Sequence, residues 1–376
     1  MQTHHHPLPG STAGTRREIV SRHYGPAGTT QKVYVQASLH ADELPGMLVA
    51  HRLCERLAAL EAEGRLAGEV VVVPVANPIG LSQAVLRTNV GRFDLASGDN
   101  FNRHYPSLDA AVAARIEGRL CADAEANVAL IRTELRTAIA ALPATTELEG
   151  QRRVLLGLAA DASVVLDLHC DGEALLHLYT ATPLWPEAEP LARCIGAEAT
   201  LLAVDSGDDP FDEACSQTWW RLRERFAKPG TSGFPIPLAC LSATVELRGM
   251  ADVSHTLADA DAAALVAYLQ HSGVVCGAAA AMPPLRARAT ALEAVDVLVA
   301  PVTGIVVFRR ALGERIAAGD HVLDVVDPIT GQAHAVHAKS AGLLFAREAQ
   351  RYATAGWSLC KIAGEVPVRR GKLTSA

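Results

Sequence analysis

The sequence holds no apolar run long enough for a transmembrane helix, which needs about 20 residues. Its apolar runs are as short as Val70–Pro74. Nor does it open on a basic start, an apolar stretch and a small-residue cleavage site, so neither a leader peptide nor a membrane is expected. Eight cysteines are present, with no C-x-x-C pair among them and spacings too wide for a disulfide framework. The expectation is reduced, core-packed thiols in a cytoplasmic protein. A formal charge of −7 supplies no excess of Lys and Arg for nucleic acid or anionic lipid, which removes both as partners. Aromatic residues are scarce at 5% in a chain that is 49% hydrophobic. Ala, Val and Leu must therefore build the core, which favours a helix-rich α/β fold over an aromatic-rich β-sandwich.

From Lys32 to about Val274 strand-like and helix-like segments alternate. Val33–Leu39 reads as a strand, and Glu69–Val75 as a second one, continuous in hydrophobicity as buried strands of an α/β sheet are. Helical spacing follows in 46–62, the Ala- and Leu-rich stretch 108–142 suggests one or two helices, and 256–271 forms a last one. Residues 163–168, 200–204 and 243–247 are further strands. Such alternation predicts a mixed, mostly parallel sheet with helices on both faces. Residues 1–28, with the His4–His6 run, are expected to be a flexible segment. The α/β domain is expected over 29–276 and a small β domain over 291–370, beyond a linker rich in Ala, Pro and Arg. That last part contains an internal repeat: Ala300–Arg310 parallels Ala338–Glu348, and each half closes on an apolar strand, 322–326 and 359–363. Two such units predict a pseudo-symmetric barrel or sandwich similar to the biotinyl/lipoyl-like fold. Lys339 lacks the Met-Lys-Met setting of a carrier lysine, so the domain is expected to be unmodified and to act as structure or as a cap over the site.

Four constellations carry chemistry. His40-Ala-Asp-Glu43 follows the first of these strands, where open α/β sheets place ligands. An imidazole and a carboxylate three residues apart can reach one ion; the alternative is a turn histidine and a helix-start glutamate. Asp167-Leu-His169 ends another strand, and strand alternation places Asp167 and His169 on one side. Together these give a His₂Glu set, the pattern of catalytic zinc with one position open. Cys170 points to the other side. Glu246 lies inside an apolar strand, where a carboxylate is unfavourable unless paired or functional. It is either the partner of Arg248 or a general base for an attacking water. Finally, the loop 92–103 holds Arg92, Asn102 and Arg103. Arginines bind carboxylates in a bidentate fork, which points to an anionic substrate; the alternative is pairing with Asp94 or Asp99.

His-x-x-Glu, Asn77-Pro78, Asn102-Arg103, Asp-x-His and the late Glu246 occur in one order that resembles the succinylglutamate desuccinylase/aspartoacylase family, relatives of the zinc carboxypeptidases. The resemblance covers roughly residues 30–275 and extends to the β-rich tail. It implies one zinc ion per chain on His40, Glu43 and His169, with Glu246 as general base. It further implies Asn102 and Arg103 on a substrate carboxylate and Arg92 on the scissile carbonyl. The long helical stretch between Arg103 and Asp167, and the segment 205–220 with Trp219 and Trp220, depart from the shorter desuccinylases. The function expected is hydrolysis of an N-acyl amino acid or similar small anionic molecule. A zinc carboxypeptidase acting on peptides, a small-ester hydrolase and a non-catalytic binding module are the rivals. A homo-oligomer is left open.

Overall fold

The computed structural model describes every residue except Ser11, 228–232 and 374–376. Its centre is a nine-stranded sheet. The chain enters it through β1 (Gln2–Pro7) and β2 (Glu18–Tyr24), paired antiparallel from Gln2↔His23 to Pro7↔Glu18. The expectation of a free N-terminal segment is therefore corrected. Ile19 and Leu8 are buried in the core, and the pairing satisfies the backbone of the His run. The alternating pattern in 18–24 was the signal for it.

β3 (Lys32–Ala37), α1 (Pro45–Ala62) and β4 (Glu69–Val73) form the first β-α-β unit, β3 and β4 running parallel. Three helices then follow: α2 (Asp109–Ile116), α3 (Ala124–Ala140) and α4 (Glu147–Ala159), the last opened by a Thr146/Glu149 capping box. The remaining strands are β5 (Val164–Asp171), β6 (His177–Ala181), β7 (Ala199–Ala203) and β8 (Leu241–Gly249). Between and after them lie α5 (Trp185–Ile195), α6 (Phe211–Phe226) and α7 (His255–His271). The sheet order is β1-β2-β4-β3-β5-β8-β6-β7, with residues 290–291 at the far edge. The central neighbours β4, β3, β5 and β8 are parallel. One apolar cluster joins the sheet to α1, α5 and α7, and a second joins it to α2, α3, α4 and α6, so both faces are covered. No helix among the described residues is long and apolar enough to cross a membrane.

The unassigned 205–220 segment becomes a loop and most of α6, whose Trp219 is buried in the core. All eight cysteines are free. Cys54, Cys170, Cys240 and Cys360 are buried as expected of core thiols, but Cys121 and Cys276 lie exposed. The C-terminal strands β9 (Val295–Val299), β10 (Gly304–Phe308), β11 (His321–Val326), β12 (Ala333–His337), β13 (Gly342–Arg347) and β14 (Ser358–Gly364) form two antiparallel sheets. The two halves of the repeat separate, β10 pairing with β11 in one sheet and β13 with β14 in the other. This unit is sewn to the α/β part. Residues 290–291 extend the large sheet, 173–174 pair with β13, and Lys361 pairs with Asp171.

One close approach fixes where α1 sits on the sheet. A Cβ on Gly46, in the first turn of α1, would stand 2.9 Å from the carbonyl oxygen of Leu168 and 3.2 Å from the Ala37 and Leu168 side chains. The absence of a side chain lets α1 rest on the ends of β3 and β5. Gly46→Val should cost about 1–3 kcal/mol of stability, read from denaturant midpoints. A midpoint equal to the parent's would show that this approach is not tight.

Candidate functional site

Three adjacent parallel strands deliver the candidate residues to one sheet edge. β3 ends at Ala37, and Ser38 takes a left-handed backbone (φ 65°) that turns the chain into the loop bearing His40 and Glu43. Asn77 holds this loop: its side-chain amide donates to the Leu39 carbonyl at 2.9 Å, and its oxygen accepts the Gly80 N–H at 2.8 Å. Asn77 is thus a structural member of the motif. β5 carries Asp167 and His169, and β8, next to it, places Glu246 directly opposite His169 in register.

His40, Glu43 and His169 are buried, and each offers an atom to a set lying within 4.8 Å of one another. Glu43 bridges the two imidazoles, with Oε1 2.9 Å from His40 Nδ1 and Oε2 2.8 Å from His169 Nδ1. The Cys170 backbone N–H also donates to Glu43 Oε2. Burial pushes Glu43 up, but the His40 and His169 imidazoles outweigh it and hold this carboxyl well below its usual range. His40 is driven down to about 4 by burial and then by the Arg92 charge. Burial lowers His169 too, but Asp167 and then Glu43 raise it well above the ordinary histidine value.

The tautomer of His40 follows from its neighbours. Asn100 Oδ1 accepts the Asn102 N–H at 2.8 Å, which fixes the amide's orientation, and it lies 2.9 Å from His40 Nε2. A carbonyl oxygen only accepts, so the His40 proton is on Nε2. Arg92 Nη1, which only donates, sits 3.2 Å from His40 Nδ1 and 3.1 Å from Glu43 Oε1. Nδ1 therefore presents a lone pair toward Glu43, a clash of acceptors that only a cation relieves, and the guanidinium meets it here. Asp167 Oδ2 stands 3.0 Å from His169 Nε2, off the direction of a hydrogen bond. Gln36 holds its other oxygen at 3.0 Å and is itself held by Tyr34 at 2.8 Å. Two nitrogen donors with an acceptor oxygen 2.9–3.0 Å from each far ring nitrogen, and one carboxylate held by the Cys170 N–H and Arg92, fit a divalent metal of the zinc type.

Asn100 and Gln36 are supports that the sequence reading did not single out. Asn100→Ala should weaken metal binding by about 10- to 100-fold, measured by competition with a chelator. An affinity equal to the parent's would show that Asn100 does not orient His40.

Glu246 faces the same cavity, its Oε2 buried and without a hydrogen-bond partner among the described residues. Burial and then the Glu43 charge push it up to about 8; a cation at the donor set would draw it back down. The alternative partner, Arg248, is taken by Asp261. Asn102 spends its oxygen on the Phe211 N–H at 2.9 Å, leaving its amide nitrogen 3.5 Å from His169 Nε2. Arg103, buried beside it, directs Nη1 to the Asn102 carbonyl at 2.7 Å. Arg92, Asn102 and Arg103 all line the cavity with the metal donors and Glu246. Neither arginine pairs with Asp94 or Asp99. Cys170 borders the cavity but is outside the donor set, and burial pushes its thiol up.

Residues 29–130 match the profile of the succinylglutamate desuccinylase/aspartoacylase catalytic domain. A structure from Shewanella amazonensis described as a protein of that family superposes with a TM-score of 0.82 at 25% identity, over 96% of this chain and 98% of that one. Residues 29–130 thus resemble that family's catalytic domain, and the whole chain shares the fold of a protein described as one of its members. A Shewanella frigidimarina structure described in the same terms shares the fold at 23% identity, TM-score 0.82, over 96% and 97% of the two chains. The product-bound ectoine utilization protein EutE (DoeB) from Ruegeria pomeroyi shares it at 15% identity, TM-score 0.67, over 96% and 95%. No curated protein sequence matches. Full-length superposition with such family structures brings the C-terminal strands into the shared fold as well. From them Ser358 and Lys361 reach the cavity, joined by Arg369 and Leu373 of the tail that follows, and α6 adds Asp212 and Glu213. None of these had a local sequence signal, because each arrives through tertiary packing.

Proposed function

We propose that this protein is a zinc-dependent hydrolase of the succinylglutamate desuccinylase/aspartoacylase kind, holding one ion per chain, that cleaves the amide bond of an N-acyl amino acid or a similar small carboxylate-bearing substrate. The observation that carries the reading is the unpartnered Glu246 Oε2 on the strand beside His169, facing the cavity of the His40, Glu43 and His169 donors. Zinc, when bound there, acts as a Lewis acid toward the carbonyl and makes nearby water more acidic.

The chain's own groups do the rest. Glu246 accepts the proton of the attacking water as its oxygen bonds to the acyl carbon. It then delivers that proton to the amine nitrogen as the C–N bond breaks, so the products are a carboxylic acid and a free amine. Arg92, beside Glu43 and His40, offers positive charge to the oxygen of the tetrahedral intermediate. The Asn102 amide and Arg103 anchor the substrate carboxylate and hold the scissile bond in place.

The rival reading, a carboxypeptidase acting on peptides, needs an open groove. The walls contributed by Lys361, Arg369 and Leu373 favour a small substrate instead. The test is turnover of N-acyl amino acids, the corresponding esters and short peptides on one preparation with its zinc content measured. N-acyl amino acids should be cleaved at least about tenfold more efficiently than peptides. A peptide preference would move the protein to the carboxypeptidases, and zinc-replete protein without turnover would make it a binding module.

A further inference from the structure

The cavity has a second side, away from the metal donors, that the reaction itself does not use. Leu201 and Ala203 of β7, Leu292, Val295 and Val297 at the start of the C-terminal unit, and Leu373 of the tail line it. Five of these belong to the apolar cluster that joins the edge of the large sheet to the β unit, and Val297 packs against it. The strap that brings Leu373 there is tied down, its N–H donating to the Ser206 carbonyl at 3.0 Å and the neighbouring Lys372 pairing with Asp208.

The two cations beside this wall are both engaged. Lys361 pairs with Asp171, and Arg369 donates to the neutral Leu373 carbonyl. Asp212 and Glu213 also line the cavity, and burial pushes them up to about 6 and about 8. A second carboxylate on the substrate would meet these acids and displace an existing ion pair. An uncharged apolar group would meet the side-chain carbons of Leu201, Ala203, Val297 and Leu373 and displace no ion pair.

We infer that the substrate carries, besides its anchored carboxylate, an uncharged apolar group of several carbons seated against Leu201, Ala203, Val297 and Leu373. This deepens the hydrolase reading and rests on it. The group belongs either to the acyl chain or to the amino-acid side chain.

The experiment compares four substrates with the full-length zinc protein: N-acetyl-alanine, N-hexanoyl-alanine, N-acetyl-leucine and N-succinyl-alanine. Binding of the same four to Glu246→Gln protein is measured by calorimetry. One apolar substrate should exceed N-acetyl-alanine by about tenfold or more in kcat/KM and in affinity; whether it is the hexanoyl or the leucine compound assigns the group to acyl chain or side chain. Ala203→Phe, which fills the wall, and Val297→Asp, which charges it at a half-buried position, should each bring that ratio toward one.

Equal or better use of N-succinyl-alanine, or a ratio that neither variant changes, overturns the inference and leaves the hydrolase reading standing. Selective binding of an apolar compound without turnover of any of the four overturns the hydrolase reading and leaves the apolar site standing.

Discussion

Glu246→Gln is expected to retain the fold and metal content of the parent and to lose on the order of 10²- to 10⁴-fold in turnover. The substitution changes neither size nor backbone, and Glu246 is not among the three metal donors. An amide cannot accept the water proton, so the loss falls on the chemical step. Fold should hold because Oε2 has no hydrogen bond to lose and Arg248 has Asp261 as its partner. Removing a buried carboxylate that is pushed up to about 8 should even make the metal-free protein slightly more stable in alkali. The sign follows from linkage: a carboxyl raised above its unfolded value contributes stability at low pH that is lost as pH rises through about 8. Turnover, bound zinc and melting temperature on one preparation decide it. A metal-replete Gln variant with near-normal turnover would mean that another group is the base.

The His40→Ala, His169→Ala double variant should fall from about one metal ion per chain to almost none. Only Glu43 would remain of the donor set, and a single exchangeable carboxylate does not hold zinc against buffer. Elemental analysis after dialysis checks this, with a folded circular dichroism spectrum as the control. Activity should vanish with the metal and should not return when zinc is added. Full metal content in the double variant would place the ion elsewhere.

Much of the fold was legible because the apolar runs are short and unambiguous. Val70–Val73 and Val164–Leu166 can only be buried strands, and the helical spacing of 46–62 and 256–271 matches α1 and α7. The repeat in the tail also appears as paired strands. The N-terminal strands escaped because β1 is polar and draws its order from the neighbour it pairs with. The 205–220 segment escaped for a related reason: α6 is rich in polar and charged residues, several of them buried in its packing against the sheet.

The residues of the candidate centre were legible in the sequence by itself. His40 and Glu43 fall in the loop after one strand, and His169 and Glu246 within two others, where local spacing reveals which side chains face together. Their meeting was decided by sheet order. β3, β5 and β8 are neighbours although roughly 130 and 70 residues separate them in the chain, and only that order sets Glu246 opposite His169. Tertiary structure alone also brought in the supports Asn100 and Gln36, and the far wall, through Leu292, Val297 and Leu373. The physical reason is one of range. Strand alternation and helical period act over a few residues and leave a pattern in the sequence, whereas a contact between distant segments costs loop entropy that the whole core repays and leaves no local pattern.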